Sequence, residues 1–189
     1  MNPLPVLFPR SGRLALVFAS LTLLASLPLA AQTGGNPFGK FIGEWTLKDD
    51  KWTQNWGAGT EHIKIPGHHT VCRAINTDNS LLAVIDGAPP HGHIFWVYNR
   101  ASGEVRHLSS FGRTRSGVGA GAVSANGDVT LKVSFEDEPL GTYRRYTYEW
   151  KSDNEYELSS TQYGPDDRPT GRYYGGTFVR VESKKAGGE

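Results

Sequence analysis

Beyond residue 31 the chain is a succession of short segments in which apolar and polar positions alternate with period two, the repeat that sends successive side chains to opposite faces of a strand. The clearest is VTLKVSFE (129–136). Val129, Leu131, Val133 and Phe135 share one face, and Thr130, Lys132, Ser134 and Glu136 the other. Segments rich in Val, Ile, Thr, Tyr, Phe and Trp are likewise predicted as strands at 43–48, 60–65, 69–76, 80–87, 93–99, 105–112, 117–124, 142–150, 155–163 and 172–181. Between them lie short turn-forming links: NTDN (76–79), NRASG (99–103), ANGD (125–128), KSDN (151–154) and GPDDRPTG (164–171). Asn126-Gly127 is the sharpest hairpin signal, because both residues readily take positive φ. Links this short favour antiparallel pairing of each strand with the next. A sheet built in that order disposes of its edges by closing on itself. The fold expected is therefore all-β, an up-and-down antiparallel barrel of about 8–11 strands.

One strand departs from the half-buried pattern. In TYRRYTYEW (142–150), Thr142, Arg144, Tyr146, Tyr148 and Trp150 share a face, Tyr143, Arg145, Thr147 and Glu149 the other, and neither face is purely apolar. Such a strand suits a wall between water and a partly polar lumen. Ahead of the first strand, NPFGKFIGEW supplies Phe38, Phe41 and Ile42, an apolar turn able to close one end of the barrel.

The N-terminus follows a different pattern. MNPLPVLFPRSGR carries Arg10 and Arg13 as its only charged side chains and leads into LALVFASLTLLASLPLAA. A basic start, an apolar run and small residues at the end describe a secretory signal peptide. The run 14–27 is shorter than the roughly 20 residues of a membrane-spanning helix, and Pro28 then interrupts it. Residues 1–31 are thus expected to be removed after Ala31, leaving no membrane anchor and an exported protein of the periplasm or medium. Residues 32–182 are expected to form one barrel domain and 183–189 a disordered tail.

Charge narrows the partners. Of 20 basic and 19 acidic residues in the 189, removal of Arg10 and Arg13 leaves 18 against 19. A nearly neutral chain has no broad electrostatic reason to seek nucleic acid or anionic lipid, and a monomer is expected. Cys72, the one cysteine, excludes an internal disulfide and sits in HTVCRAI, where a buried, inert thiol is expected.

At FIGEWTL the pattern Gly43-x-Trp45 resembles the Gly-x-Trp signature of lipocalin-like, or calycin, barrels. The strand ladder and the closing Gly175-Gly176-Thr177-Phe178-Val179-Arg180-Val181 look like an exported bacterial lipocalin-like family of unknown function. The resemblance implies that Trp45 packs across the closed end and that Arg180, a basic residue of a late strand, packs on it. It also implies that KDDKWTQNWGAG (48–59) is a long loop over the open mouth, with Trp52 and Trp56 as lid aromatics. The paired cysteines of many secreted lipocalins are absent. The implied function is binding of a small apolar or amphipathic molecule.

Four of the six histidines fall between residues 68 and 98. His91 and His93, one residue apart, would share a face if both lay on a strand and could then share a metal, with His69 or His107 as a third ligand. Pro89-Pro90 and Gly92 argue instead for a loop, and for histidines satisfied by hydrogen bonds. The carboxylates of FEDEP (Glu136, Asp137, Glu138) and GPDDRP (Asp166, Asp167) read as solvated turn acids. Arg113 and Arg115 precede a glycine-rich run without the lysine or strand-to-helix context of a phosphate loop. No serine sits in a Gly-x-Ser-x-Gly elbow.

The leading reading is a small amphipathic ligand in the lumen, contacted by His93, Trp96, His107, Arg144, Tyr146 and Tyr148, with no cofactor. The alternative is zinc or another divalent metal on His69, His91, His93 and His107, as a metal-binding site or a metal-dependent enzyme on the same barrel. No residue is assigned a catalytic role.

Overall fold

The computed structural model describes residues 35–75 and 78–182, so the expected signal segment and tail lie outside the described residues. Its strands are β1 (Gly43–Leu47), β2 (Lys51–Asn55), β3 (Glu61–Lys64), β4 (Thr70–Arg73), β5 (Ser80–Ile85) and β6 (Gly92–Asn99). They continue with β7 (Glu104–Phe111), β8 (Arg115–Val123), β9 (Val129–Phe135), β10 (Tyr143–Ser152), β11 (Glu155–Tyr163) and β12 (Pro169–Arg180). From β4 to β12 each strand pairs antiparallel with the next. β1 joins the two ends, facing Thr70 of β4 and Arg180 of β12 across Trp45. β1 and β4–β12 thus close a ten-stranded up-and-down barrel.

β2 and β3 stand outside that count. β12 is long enough to hold β1 along Phe178–Arg180 and β2 along Tyr173–Gly175, so β1 and β2 lie end to end against it. The break between them is the turn Lys48–Asp50, where Asp49 and Asp50 take φ of 54° and 58°. Asp is among the residues that tolerate this left-handed region, and the kink re-aims the chain. β3 pairs only with β2, and all four of its residues are exposed. The stretch 48–59, expected as a mouth loop, is therefore a turn followed by one arm of a two-stranded flap.

Inside, the pleat sorts residues as the alternation of β9 predicts: Val129, Leu131, Val133 and Phe135 are buried and the residues between them exposed. β8 lies so close to β9 that a Cβ on Gly121 would meet Thr130 O at 1.9 Å, which only glycine avoids. One end of the barrel is filled by rings. The 3-10 helix Gly39–Phe41 carries Phe41 inward, its ring 5.3 Å from that of Trp96 and 4.7 Å from that of Trp150, and Phe38 lies 5.5 Å from Trp96.

Trp45 is fully buried beneath this plug and donates its Nε1–H to Phe41 O at 2.7 Å. Arg180 Cζ lies 4.3 Å from the Trp45 ring centroid. Its guanidinium donates to Ile42 O at 2.8 Å and Lys40 O at 2.9 Å, and its Nε–H to Asn154 Oδ1 at 3.0 Å. That latch explains Gly43, whose φ is 135° and where a Cβ would stand 2.5 Å from Arg180 Nη1. Cys72 is buried near the same end, and burial pushes its thiol up to about 12, which leaves it protonated and inert.

Candidate functional site

Along β10 the inward positions run Arg144, Tyr146, Tyr148, Trp150, so one strand carries the lining from polar to aromatic. Six residues at about 3.3 Å each place Arg144 about 20 Å from the ring-filled end. Arg144 is 0% exposed although it sits at the end away from the rings. Its Nε–H donates to Glu138 Oε1 at 2.6 Å, and Arg115 Nη2 donates to the same oxygen at 2.8 Å. Gln162 Nε2 donates to Glu138 Oε2 at 3.0 Å, and Thr170 Oγ1 to Gln162 Oε1 at 2.8 Å. Burial alone would raise the Glu138 pKa, but the bonds from Arg115, Gln162 and Arg144 outweigh it and hold the carboxyl below its ordinary value.

Glu138 is therefore no solvated turn acid. The turn after β9 folds it back under the wall, with its side chain 7% exposed, while Asp137 beside it stays 41% exposed and takes both bonds of Arg115 Nη1. The signal in the sequence was on the partners: Arg144 and Gln162 face a lumen whose strands carry no acid at inward positions. An arginine buried there requires a carboxylate from a connecting segment.

Two rings flank the Arg144 guanidinium. Its Cζ is 4.8 Å from the Tyr174 centroid and 5.0 Å from that of Trp56, the residue that follows β2, so the link between β2 and β3 lies beside the cluster. Trp52 stacks on Tyr174 from the same hairpin. Tyr146 and Tyr174 share a hydrogen bond through their hydroxyls, and burial holds Tyr146 well above its ordinary pKa, so it is a neutral O–H. Among the described residues three side-chain atoms are buried with no hydrogen-bond partner: Arg144 Nη1 and Ser160 Oγ here, and His68 Nδ1 beside Phe178.

His107 occupies the lumen beside this cluster, its ring 6.4 Å from that of Tyr146. Its cross-strand partner Trp96 donates Nε1–H to His107 Nδ1 at 2.9 Å, which fixes the neutral ring as the Nε2–H tautomer. Nε2–H then donates to Ser109 Oγ, 2.9 Å away. Burial pushes the His107 pKa down to about 4.

Below about pH 6.5 the unfolded chain binds a proton that the folded ring refuses until about pH 4. This residue's contribution is therefore complete above pH 6.5 and falls by about 3 kcal/mol across that window. His107→Gln keeps an acceptor and a donor and does not titrate. The stability difference between wild type and His107→Gln is expected to shift against the wild type by about 2 kcal/mol from about pH 7 to about pH 5. Urea unfolding across that range measures it, and a pH-independent difference would refute the buried, neutral imidazole.

The other histidines lie elsewhere. His93 is on β6 but on its outer face and exposed, because the pleat that turns Trp96 and Tyr98 inward turns His93, three residues before Trp96, outward. His91 is exposed in the preceding loop, its Nε2 2.9 Å from Gly87 O. His69 is held outside the wall, its Nδ1 2.7 Å from Asp86 Oδ1 and its Nε2 3.3 Å from Glu44 Oε2. His69, His91 and His93 are thus on the outside and His107 on the inside. Among the described residues no three His, Cys, Asp or Glu side chains converge as a metal site. Trp96, His107, Arg144, Tyr146 and Tyr148 all face the lumen.

No family model and no curated protein matches the chain. Among solved structures it is similar to a de novo designed fluorescence-activating β-barrel, at 15% identity over 78% of this chain and 100% of that one, with a TM-score of 0.33. It is also similar to EF1p2_mFAP2b bound to DFHBI, at 11% identity over 77% of this chain and 98% of that one, with a TM-score of 0.35. At such scores the likeness adds nothing to what the strand pairing already establishes.

Proposed function

We propose that the protein is an exported, monomeric, lipocalin-like barrel that takes up a small amphipathic molecule through its open end. The observation that carries this reading is the change of lining along the lumen. Aromatic rings seal one end, the other presents Arg144, Tyr146 and Ser160 near a flap followed by the 46% exposed Trp56, and His107 lies between them against Trp96. A wall of that kind matches a molecule with an apolar body and one polar end. The flap is the natural gate, since β3 has no second neighbour to hold it and exposes both faces. The lipocalin-like assignment is supported by Arg180 stacking on Trp45 and by Gly43 making room for it, and export by the character of residues 1–31.

Native mass spectrometry of the protein purified from its own host without chelator tests the reading. An organic mass that is retained in the folded state and leaves on denaturation is expected. A bare mass, together with no calorimetric binding of added dodecanoate or dodecanol, would overturn it. Stoichiometric zinc lost on replacing His93 would transfer the function to the histidines.

A further inference from the structure

Around Tyr174 the hydrogen-bond inventory is lopsided. Arg144 Nη1 and Ser160 Oγ are both buried and unpartnered among the described residues, and both belong to neighbours of Tyr174. Ser160 is the register partner of Tyr174 across β11 and β12, while Arg144 Cζ stands 4.8 Å from its centroid. Ser160 is also opposite Tyr146, two places along β10 from Arg144, on the same inward face. In the Tyr146–Tyr174 pair one hydroxyl donates to the other, which leaves a second O–H free to donate onward. Three donors on neighbouring inward positions therefore have no acceptor committed to them. The acceptor at hand, Glu138, already takes Arg144 Nε and Arg115 on one oxygen and Gln162 on the other.

The charges lean the same way. Within the wall two guanidiniums, those of Arg115 and Arg144, share the buried carboxylate of Glu138. Asp137, at 41% exposure, balances Arg115 from a position where water screens it. A buried donor left unmet is costly, and two on diagonal positions of neighbouring strands mark a place suited to something with acceptor oxygens.

We infer that Arg144 Nη1, Ser160 Oγ and the free hydroxyl of the Tyr146–Tyr174 pair form a socket for the carboxylate head of an amphipathic ligand, whose apolar body lies along the lumen. This rests on the binding-barrel reading and sharpens it. A planar carboxylate offers two oxygens to three donors, and hydrogen bonds from a guanidinium to an ionised oxygen are the strong class. An ammonium head would meet only donors, and a hydroxyl head would forgo the charge-assisted bond.

The test uses the mature protein at neutral pH with two probes of one chain length, dodecanoate and dodecanol, titrated by calorimetry. Dodecanoate is expected to bind about tenfold tighter or more. Arg144→Met is expected to bring dodecanoate down to the affinity of dodecanol and leave dodecanol unchanged, and Ser160→Ala to remove part of the preference. If Arg144→Met does not fold, Arg144→Lys carries the test: it keeps the charge, loses the fork and is expected to lose most of the preference. Equal affinities in the wild type, or a preference that survives both the arginine and the serine variants, would overturn the socket while leaving the barrel a binding protein. Binding of neither probe would overturn the socket and, with a bare native mass, the binding barrel as well.

Discussion

Replacing Glu138 with Ala is expected to destabilise the barrel by about 3–5 kcal/mol, the range for breaking a buried ion pair by removing one partner. The reason is what it leaves behind. Arg144, 0% exposed, would lose the acceptor of its Nε–H, Arg115 Nη2 and Gln162 Nε2 would lose theirs, and no other acid of the wall is placed to replace it. Glu138→Gln, which keeps acceptor oxygen but not charge, should fall between wild type and Glu138→Ala.

The pH dependence follows from the same contacts. With its folded pKa held below the ordinary carboxyl value, Glu138 contributes stability that is complete above about pH 4.5 and is lost as pH falls through the folded value. The Gln variant should therefore be less sensitive to acid than the wild type over that range. Denaturant midpoints measured at neutral pH and near pH 3.5 decide it. A Glu138→Ala loss below about 1 kcal/mol, the size of a surface pair, would mean that water already solvates the cluster.

Trp45→Ala is expected to cost about 3–5 kcal/mol, the range for deleting a large buried ring. Here the deletion touches three supports at once. The ring packs on Tyr156 at 4.9 Å and Trp150 at 5.7 Å, its Nε1–H holds Phe41 O, and it is the surface on which Arg180 lies. Trp45→Phe should recover much of the packing and none of the hydrogen bond, and so lie between the two. Thermal unfolding followed by near-ultraviolet circular dichroism reads both. If Trp45→Ala unfolds within a few degrees of the wild type, the closed end does not depend on this ring.

The Glu138 and His93 positions show where local pattern stops being informative. Alternation placed β9 because one of its faces is wholly apolar, so only one register buries it. The segment HIFWVYN gives no such lead, because its two faces, with Phe95 and Val97 on one and Ile94, Trp96 and Tyr98 on the other, are both apolar. The choice is made by packing against the Phe38 and Phe41 plug. Parity alone does forbid His93 and Trp96, three residues apart, from sharing a face of one strand.

β2 was hidden inside the stretch expected as a mouth loop, where the turn at Asp49 and Asp50 is followed at once by a strand. Glu138 was hidden for a different reason. Its burial depends on a turn folding back onto residues of β8, β10 and β11, contacts that no window along the chain contains. By contrast Gly43, at a φ of 135°, is a backbone requirement that leaves its mark in the sequence as Gly43-x-Trp45, although the Arg180 guanidinium that fills the space beside it comes from the last strand.

The pairing of β1 with β12 joins Trp45 to Arg180, 135 residues apart in the chain (45 to 180). The first barrel strand to emerge during synthesis therefore cannot complete its pairing until the last has been made, and Arg180, which locks the plug, arrives at the very end. Closure of so distant a pair is slow relative to the formation of the hairpins between them. Throughout that interval the sheet has two open margins, each complementary to the other. In a crowded compartment the margin of one molecule can zip onto that of its neighbour, so the topology that abolishes edges in the finished barrel also defines its characteristic assembly error, a strand-exchanged dimer.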